Sequence, residues 1–255
     1  MDIIIIGTGN VATMLGRKIL SAGHRIVQVF SRNHGHAANL ANVLHAKPIS
    51  VIDDLERSAS LIIISIPDSA YESFVQKLPH TDSFVTHTAG AVPLHILGNI
   101  SNRYGVLYPL QSFRKELETV PAFPLLIDAN KPLNLQELNT FATSLSNTVI
   151  TADDETRLKY HAGAVIVNNF TNHLFTLAED WCKKEGIAFS LLQPLIQETF
   201  NRIARYSPAG LQTGPAVRND TQTIDKHRQI LDQYPGLLQL YDAFTTNIQQ
   251  FHNNK

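Results

Sequence analysis

Cysteine is nearly missing from this chain: Cys182 is the only one. A single thiol forms no internal disulfide and no thiolate cluster, so the fold must rest on a packed core, and a reducing compartment is its natural setting. An excess of charge of one sign is also missing. Twenty-one basic residues face twenty-two acidic ones, for a net charge of −1, which gives no basic stripe for a nucleic acid. The start, Met1-Asp2 followed by Ile3-Ile4-Ile5-Ile6-Gly7, has no basic flank and no long apolar run. Neither a signal peptide nor a membrane span is expected, and a cytoplasmic location follows by elimination. The eleven histidines are scattered. His34 and His36 stand close together without a third ligand nearby, so no metal site is expected. No G-x-S-x-G elbow and no G-x-x-x-x-G-K loop occurs.

What is present is apolar residue in quantity. Hydrophobic residues make up 44% of the 255, enough for one medium domain and one smaller one. The first half alternates between strand and helix signals. Ile3 to Ile6, Arg25 to Phe30, Leu61 to Ile66 and Ser83 to His87 read as strands, with weaker ones at Gly105 to Tyr108 and Pro124 to Asp128. Helical segments from Asn10 to Ser21 and from Asn33 to Leu44 lie between them. Strands that are apolar throughout and separated by helices are what a parallel sheet covered on both faces requires. After about residue 150 the texture turns helical: Asp153 to Gly186, Ala188 to Arg205, Asp220 to Gln233 and Leu237 to Phe251. The reading is α/β: a Rossmann-type, mostly parallel doubly wound sheet over 1–150, then an all-α domain over 151–255 that serves substrate binding and dimerisation.

Gly7-Thr8-Gly9-Asn10-Val11-Ala12 fits G-x-G-x-x-A at the end of the first strand and the start of the first helix. In that setting the first glycine permits the turn, the second lets a pyrophosphate approach the backbone, and the small Ala12 lets helix and strand pack. Thr8, Asn10 and Val11 offer backbone N–H groups to the phosphates. An NAD-specific fold places Asp or Glu ~20 residues beyond the glycines. Here the place reads Phe30-Ser31-Arg32-Asn33. With no acid and an arginine, Ser31 and Arg32 favour the 2′-phosphate of NADP over NAD.

Ligands in open α/β sheets bind beyond the carboxyl ends of the strands. That singles out Ser65-Ile66-Pro67-Asp68-Ser69, His87-Thr88-Ala89-Gly90-Ala91 and Tyr108-Pro109-Leu110-Gln111-Ser112-Phe113. Ile66, Pro67, Thr88, Ala89 and Gly90 are the candidate lining residues among them. In the helical half, about 100° per residue puts His161, Asn168 and Asn172 on one face, with Asn169 and His173 beside it. A histidine there is either a proton donor near neutral pH or, more often on composition alone, a hydrogen-bonded core residue. Lys159 falls on another side of that helix. The segment Gln212 to Asp220 offers Thr213 and Gly214 as a polar turn and Arg218 as a clamp for an acidic group. It reads equally well as an interhelical loop with a capping Asp220.

Taken together, GTGNVA, SIPD, HTAGA, YPLQSF, KYHAGAVIVNNF and TGPAVRND resemble bacterial Rossmann-like proteins with a C-terminal domain of unknown function 2520. These are similar to the wider 6-phosphogluconate dehydrogenase-like superfamily, which includes pyrroline-5-carboxylate reductase. The resemblance covers nearly the whole chain, and its last two motifs are its most specific. It implies an NADP-dependent oxidoreductase acting on a small molecule, a homodimer, and an active site between the domains. It also implies His161 as proton donor, with Lys159 as its rival. Asn169 would orient the substrate, and Thr213, Gly214 and Arg218 would bind it. The activity expected is hydride transfer to a small C=O or C=N group. Ketopantoate reduction in particular, and a non-catalytic NADP-binding regulator or scaffold, are the alternatives.

Overall fold

The computed structural model describes residues 1–56 and 58–253. The chain divides into two compact units, Met1–Phe170 and Thr171–Lys255.

The first unit is built on an eight-stranded sheet of order β3-β2-β1-β4-β5-β6-β7-β8. Its strands are β1 (Asp2–Ile6), β2 (Arg25–Phe30), β3 (Lys47–Ile49), β4 (Leu61–Ile64), β5 (Phe84–His87), β6 (Tyr104–Pro109), β7 (Leu125–Ala129) and β8 (Val149–Thr151). All pairings are parallel except β6 with β7. The helices of this unit are α1 (Asn10–Ser21), α2 (His34–Leu44), α3 (Tyr71–Val75), α4 (Pro132–Leu145) and α5 (Asp154–Ala164). A π-helical turn follows at Val165–Phe170.

The isoleucine run of β1 shows why this sheet forms. Alternate side chains point to opposite faces, and here both faces are covered. Ile3 and Ile5 pack with Met14, Leu15, Leu40 and Phe141. Ile4 and Ile6 pack with Tyr71, Val75, Leu97 and Ile100. Each of the four is at most 1% exposed, and burying one such side chain stabilises the fold by about 1.5–3 kcal/mol. A strand in the middle of a two-faced sheet places all four consecutive isoleucines out of water.

The expected α/β architecture is therefore present, with a few differences. The short edge strands β3 and β8 carry too few residues to stand out in the sequence. Helix α4, entered through Pro132 at its first turn, was not anticipated. Where a single helix was expected from Asp153 to Gly186, the structure has α5, the π turn and α6 (Thr171–Lys184). The texture does change after β8 near residue 151, but α5 and the π turn belong to the first unit.

The second unit contains α6, then α7 (Gln193–Ile203), α8 (Pro208–Leu211), α9 (Thr221–Leu231) and α10 (Pro235–Asn253). Asp220 caps α9 by accepting from the Thr223 N–H at 3.1 Å. Among the described residues, no helix is long and apolar enough to cross a membrane.

Candidate functional site

A cleft of about 1060 Å³ opens at the carboxyl edge of the sheet, and all the residues that line it belong to the first unit. It begins at the turn between β1 and α1. Gly7 has φ +115°, and a Cβ there would come within 1.9 Å of the Ser65 carbonyl oxygen. Only glycine fits. Gly9 differs. Its backbone is ordinary extended structure, and a Cβ on it would meet no atom within 4 Å. Nothing in the fold itself demands glycine at this position, whereas a phosphate lying against the backbone does. Gly9 is also the N-cap of α1, with no side-chain cap and no acidic residue in the first turn. The first N–H groups of the helix therefore remain available to an anion. Thr8, Asn10 and Val11 line the cleft beside the two glycines, while Ala12 is buried behind them against the core.

Beyond β2 the cleft is bounded by Ser31, Arg32, His36 and Asn39. Arg32 is exposed, and no carboxylate stands among these residues. Asn33 caps α2 by accepting from the His36 N–H at 3.1 Å. Ile66 and Pro67 line the cleft after β4, and Thr88, Ala89 and Gly90 after β5.

At the far end stands His161, from α5. Its ring lies directly over Gly90: a Cβ on that glycine would be 2.6 Å from the His161 Nδ1. The same Nδ1 is 3.0 Å from the Tyr108 hydroxyl, and the two rings meet edge to face. Burial and then the Asp68 carboxylate push the Tyr108 phenol above its ordinary pKa, so it keeps its proton and can donate. A phenol donating to Nδ1 leaves the proton of a neutral imidazole on Nε2.

The remaining predicted residues are placed differently. Lys159 points to solvent and pairs with Glu155 one turn earlier, both side chains more than 70% exposed. Asn169 is exposed on the π turn and does not line the cleft. Asn168 and Asn169 both fall on the π turn that follows α5, so their faces do not follow from a period of 3.6. Thr213, Gly214 and Arg218 lie in the second unit, between α8 and α9, with Thr213 and Arg218 exposed.

Sequence reasoning missed three contributors. Tyr108 stood in a candidate loop but had no assigned role. Lys77 and Lys115 both line the cleft; isolated lysines carry no sequence signal. Lys115 is brought there by a loop that its backbone N–H ties to Asn10 Oδ1 at 3.3 Å and that Arg17 ties to the Leu117 carbonyl at 2.6 Å.

A mostly parallel sheet of this order, with a glycine turn at the N-terminus of its first helix, defines the class of dinucleotide-binding α/β proteins. Comparison with known proteins places the chain more closely. Residues 1–111 match the model of a Rossmann-like domain, and residues 123–248 match that of a domain of unknown function, DUF2520. A solved structure from Bacteroides fragilis, described as that of an NADP oxidoreductase, is 35% identical. It is matched over 98% of both chains with a TM-score of 0.89. The chain belongs to the family of Rossmann-like proteins that carry a DUF2520 domain. More distant structures share the fold. A 1-pyrroline-5-carboxylate reductase from Streptococcus pyogenes is 14% identical, with a TM-score of 0.62 over 98% of each chain. An imine reductase from Myxococcus stipitatus, solved with NADP+, is 12% identical, with a TM-score of 0.66 over 98% of this chain and 93% of that one. No curated protein matches.

Proposed function

We propose that this protein is an NADP-dependent oxidoreductase that reduces a small C=O or C=N compound. The observation that carries the proposal is one continuous cleft with a phosphate-binding turn at one end and a hydrogen-bonded histidine–tyrosine pair at the other. The family relationship and the named activities of the structural neighbours support the same reading.

NADPH supplies the hydride when bound; the chain's residues bind, orient and handle the proton. Gly7, Gly9 and the first turn of α1 hold the pyrophosphate through Thr8, Asn10 and Val11, and Ala12 keeps α1 close to β1. Ser31 and Arg32 receive the 2′-phosphate. An arginine and no carboxylate at that position favour NADP over NAD. Ile66, Pro67, Thr88, Ala89 and Gly90 flank the nicotinamide. His161 in its protonated form donates the proton to the reduced atom from Nε2 and is left as the neutral imidazole, while the Tyr108 hydroxyl at its Nδ1 orients the ring. Lys159 and Asn169 have no part in this scheme, and it rests nothing on Thr213, Gly214 or Arg218.

The protein acts as a homodimer in this proposal. The support is the second unit's exposed apolar side chains, including Leu191 at 79% and Leu195 at 66%. Apolar surface of that kind marks a protein contact.

The test is His161→Gln. NADPH titration, followed by nicotinamide fluorescence, should give the affinity of the unaltered chain. Turnover on a panel of 2-keto acids (ketopantoate among them), aldehydes and cyclic imines should fall by about 10²–10⁴, the usual worth of a positioned acid. Unchanged turnover would remove His161 from the chemistry. Tight NADPH binding by the unaltered chain with no turnover on any compound would replace the enzyme reading with a regulatory one.

A further inference from the structure

Beneath the loop that carries Gly90 lies an arginine no part of the scheme above uses. Arg157 of α5 is 1% exposed. Its Nη2 donates to the Val92 carbonyl at 2.6 Å and to Asp154 Oδ1 at 2.7 Å. Among the described residues, its Nε and Nη1 have no hydrogen-bond partner. Asp154 in turn accepts from the Leu94 N–H through both oxygens, at 3.0 and 3.2 Å. Its neighbour Asp153 already caps α5 through the Thr156 N–H, which leaves Asp154 free for the loop.

The loop from Thr88 to Leu94 has few other hydrogen bonds to hold its backbone. Thr88 N–H reaches back to the Ile64 carbonyl at 3.1 Å, and Ala89 N–H donates to the Nδ1 of the buried His87 at 3.2 Å. Ala89 and Val92 are buried in the core and Leu94 packs beside it, and from Val92 to Leu94 the side-chain hydrogen bonds that hold the loop's backbone come from Arg157 and Asp154. One helical turn after Arg157 the same helix presents His161, whose ring rests on Gly90. A single helix thus sets both the histidine and the backbone surface under it.

Stability alone does not explain a charged group in this place. Burying a guanidinium is costly, and a buried ion pair often contributes no more than well-packed apolar residues of the same volume. What the pair adds is a fixed loop height. We propose that Arg157 and Asp154 are a positioning pair, which holds the Thr88–Leu94 loop where Gly90 can flank the nicotinamide and back His161. The assignment rests on the dinucleotide reading of the cleft and adds residues that set the geometry of its reacting end.

The experiment is a pair of titrations on the full chain, one with NADPH and one with 2′,5′-ADP. The second ligand has the adenosine half and its phosphates but no nicotinamide, so it does not reach Gly90. Arg157→Lys should weaken NADPH about tenfold, the usual worth of one lost charge-assisted hydrogen bond. Affinity for 2′,5′-ADP should stay within about twofold of the unaltered chain. Asp154→Asn keeps its size and its partly exposed position and should shift NADPH in the same direction by a smaller factor. It carries the test if Arg157→Lys does not fold. Leu138→Ala, a core truncation on the buried face of α4, serves as the control for general loosening and should move the two ligands together. Equal shifts for both ligands in the Arg157 and Asp154 variants, or none, would overturn the positioning role while leaving the dinucleotide site in place. Binding of neither ligand by the unaltered chain would overturn the dinucleotide reading and this assignment with it.

Discussion

The sheet and the helical unit of this chain treat their apolar residues in opposite ways. In the sheet unit, β1, β4 and β5 are buried along almost their whole length, and its clusters close on both faces of the sheet. In the helical unit the buried apolar residues are Cys182, Ala216, Ile224 and Leu231. Leu191, Leu195, Phe200, Ile203 and Tyr206 all stand in solvent there, each more than 40% exposed. The sheet is a finished core and its unit supplies the whole lining of the cleft, while that unit's own exposed apolar residues include Leu158, Val167 and Phe170 at its helical end. The helical unit leaves apolar side chains exposed in number, surface of the kind that marks a protein contact, and the proposed dimer rests on it.

Substitutions that test this contrast follow in order of expected effect. Gly7→Ala should be the most damaging. It forces an L-residue to positive φ and drives its Cβ into the Ser65 carbonyl, so a loss of more than about 3 kcal/mol in denaturant unfolding is expected. A near-neutral result would mean that the turn is looser than the packing shows. Phe84→Ala, at 2% exposure in β5, should cost about 3–5 kcal/mol by the same measurement.

Acid should weaken the sheet unit through His87. Burial, and next the Arg157 charge, push its pKa down from 6.5 to about 3. The folded chain therefore binds fewer protons there than the unfolded one. The stability linked to this group is complete above pH 6.5 and is lost as pH falls toward about 3, at about 1.4 kcal/mol per pH unit. Comparing pH-dependent unfolding of the unaltered chain with His87→Gln isolates the effect; identical slopes over that window would show that His87 is not held neutral. The smallest change in fold stability belongs to the helical unit. Leu191→Ser with Leu195→Ser should leave NADPH binding within about twofold, since exposed positions change stability by about 0.5 kcal/mol or less. The solution mass should fall from two copies toward one. An unchanged dimer would place the contact elsewhere, and a monomeric unaltered chain would end the dimer proposal.

The same contrast explains what the sequence could reveal. The phosphate turn and the central strands were legible because their signals are local: glycines at fixed spacing, and apolar runs between turn residues. The cleft residues from Gly7 to Val11, at Ser31 and Arg32, and from Thr88 to Gly90 follow from position on such a sheet. His161 was visible as a polar residue on an apolar helix, but its partner Tyr108 lies 53 positions away on a strand, and no spacing rule links them. Arg157 was hidden because Asp154 and Arg157 at i and i+3 look like any surface ion pair. Asn169 lies on the π turn, where a period of 3.6 does not say which face a side chain takes.

The most direct test of the account is the affinity of Gly9→Ala for NADPH. The substitution meets no protein atom within 4 Å and leaves an ordinary backbone conformation, so the fold should be untouched. If the cleft holds the cofactor's pyrophosphate against this backbone, the added methyl group should weaken NADPH at least about tenfold while the melting transition stays in place. Gly9→Ala binding NADPH as tightly as the unaltered chain would contradict the dinucleotide site on which the proposed function rests.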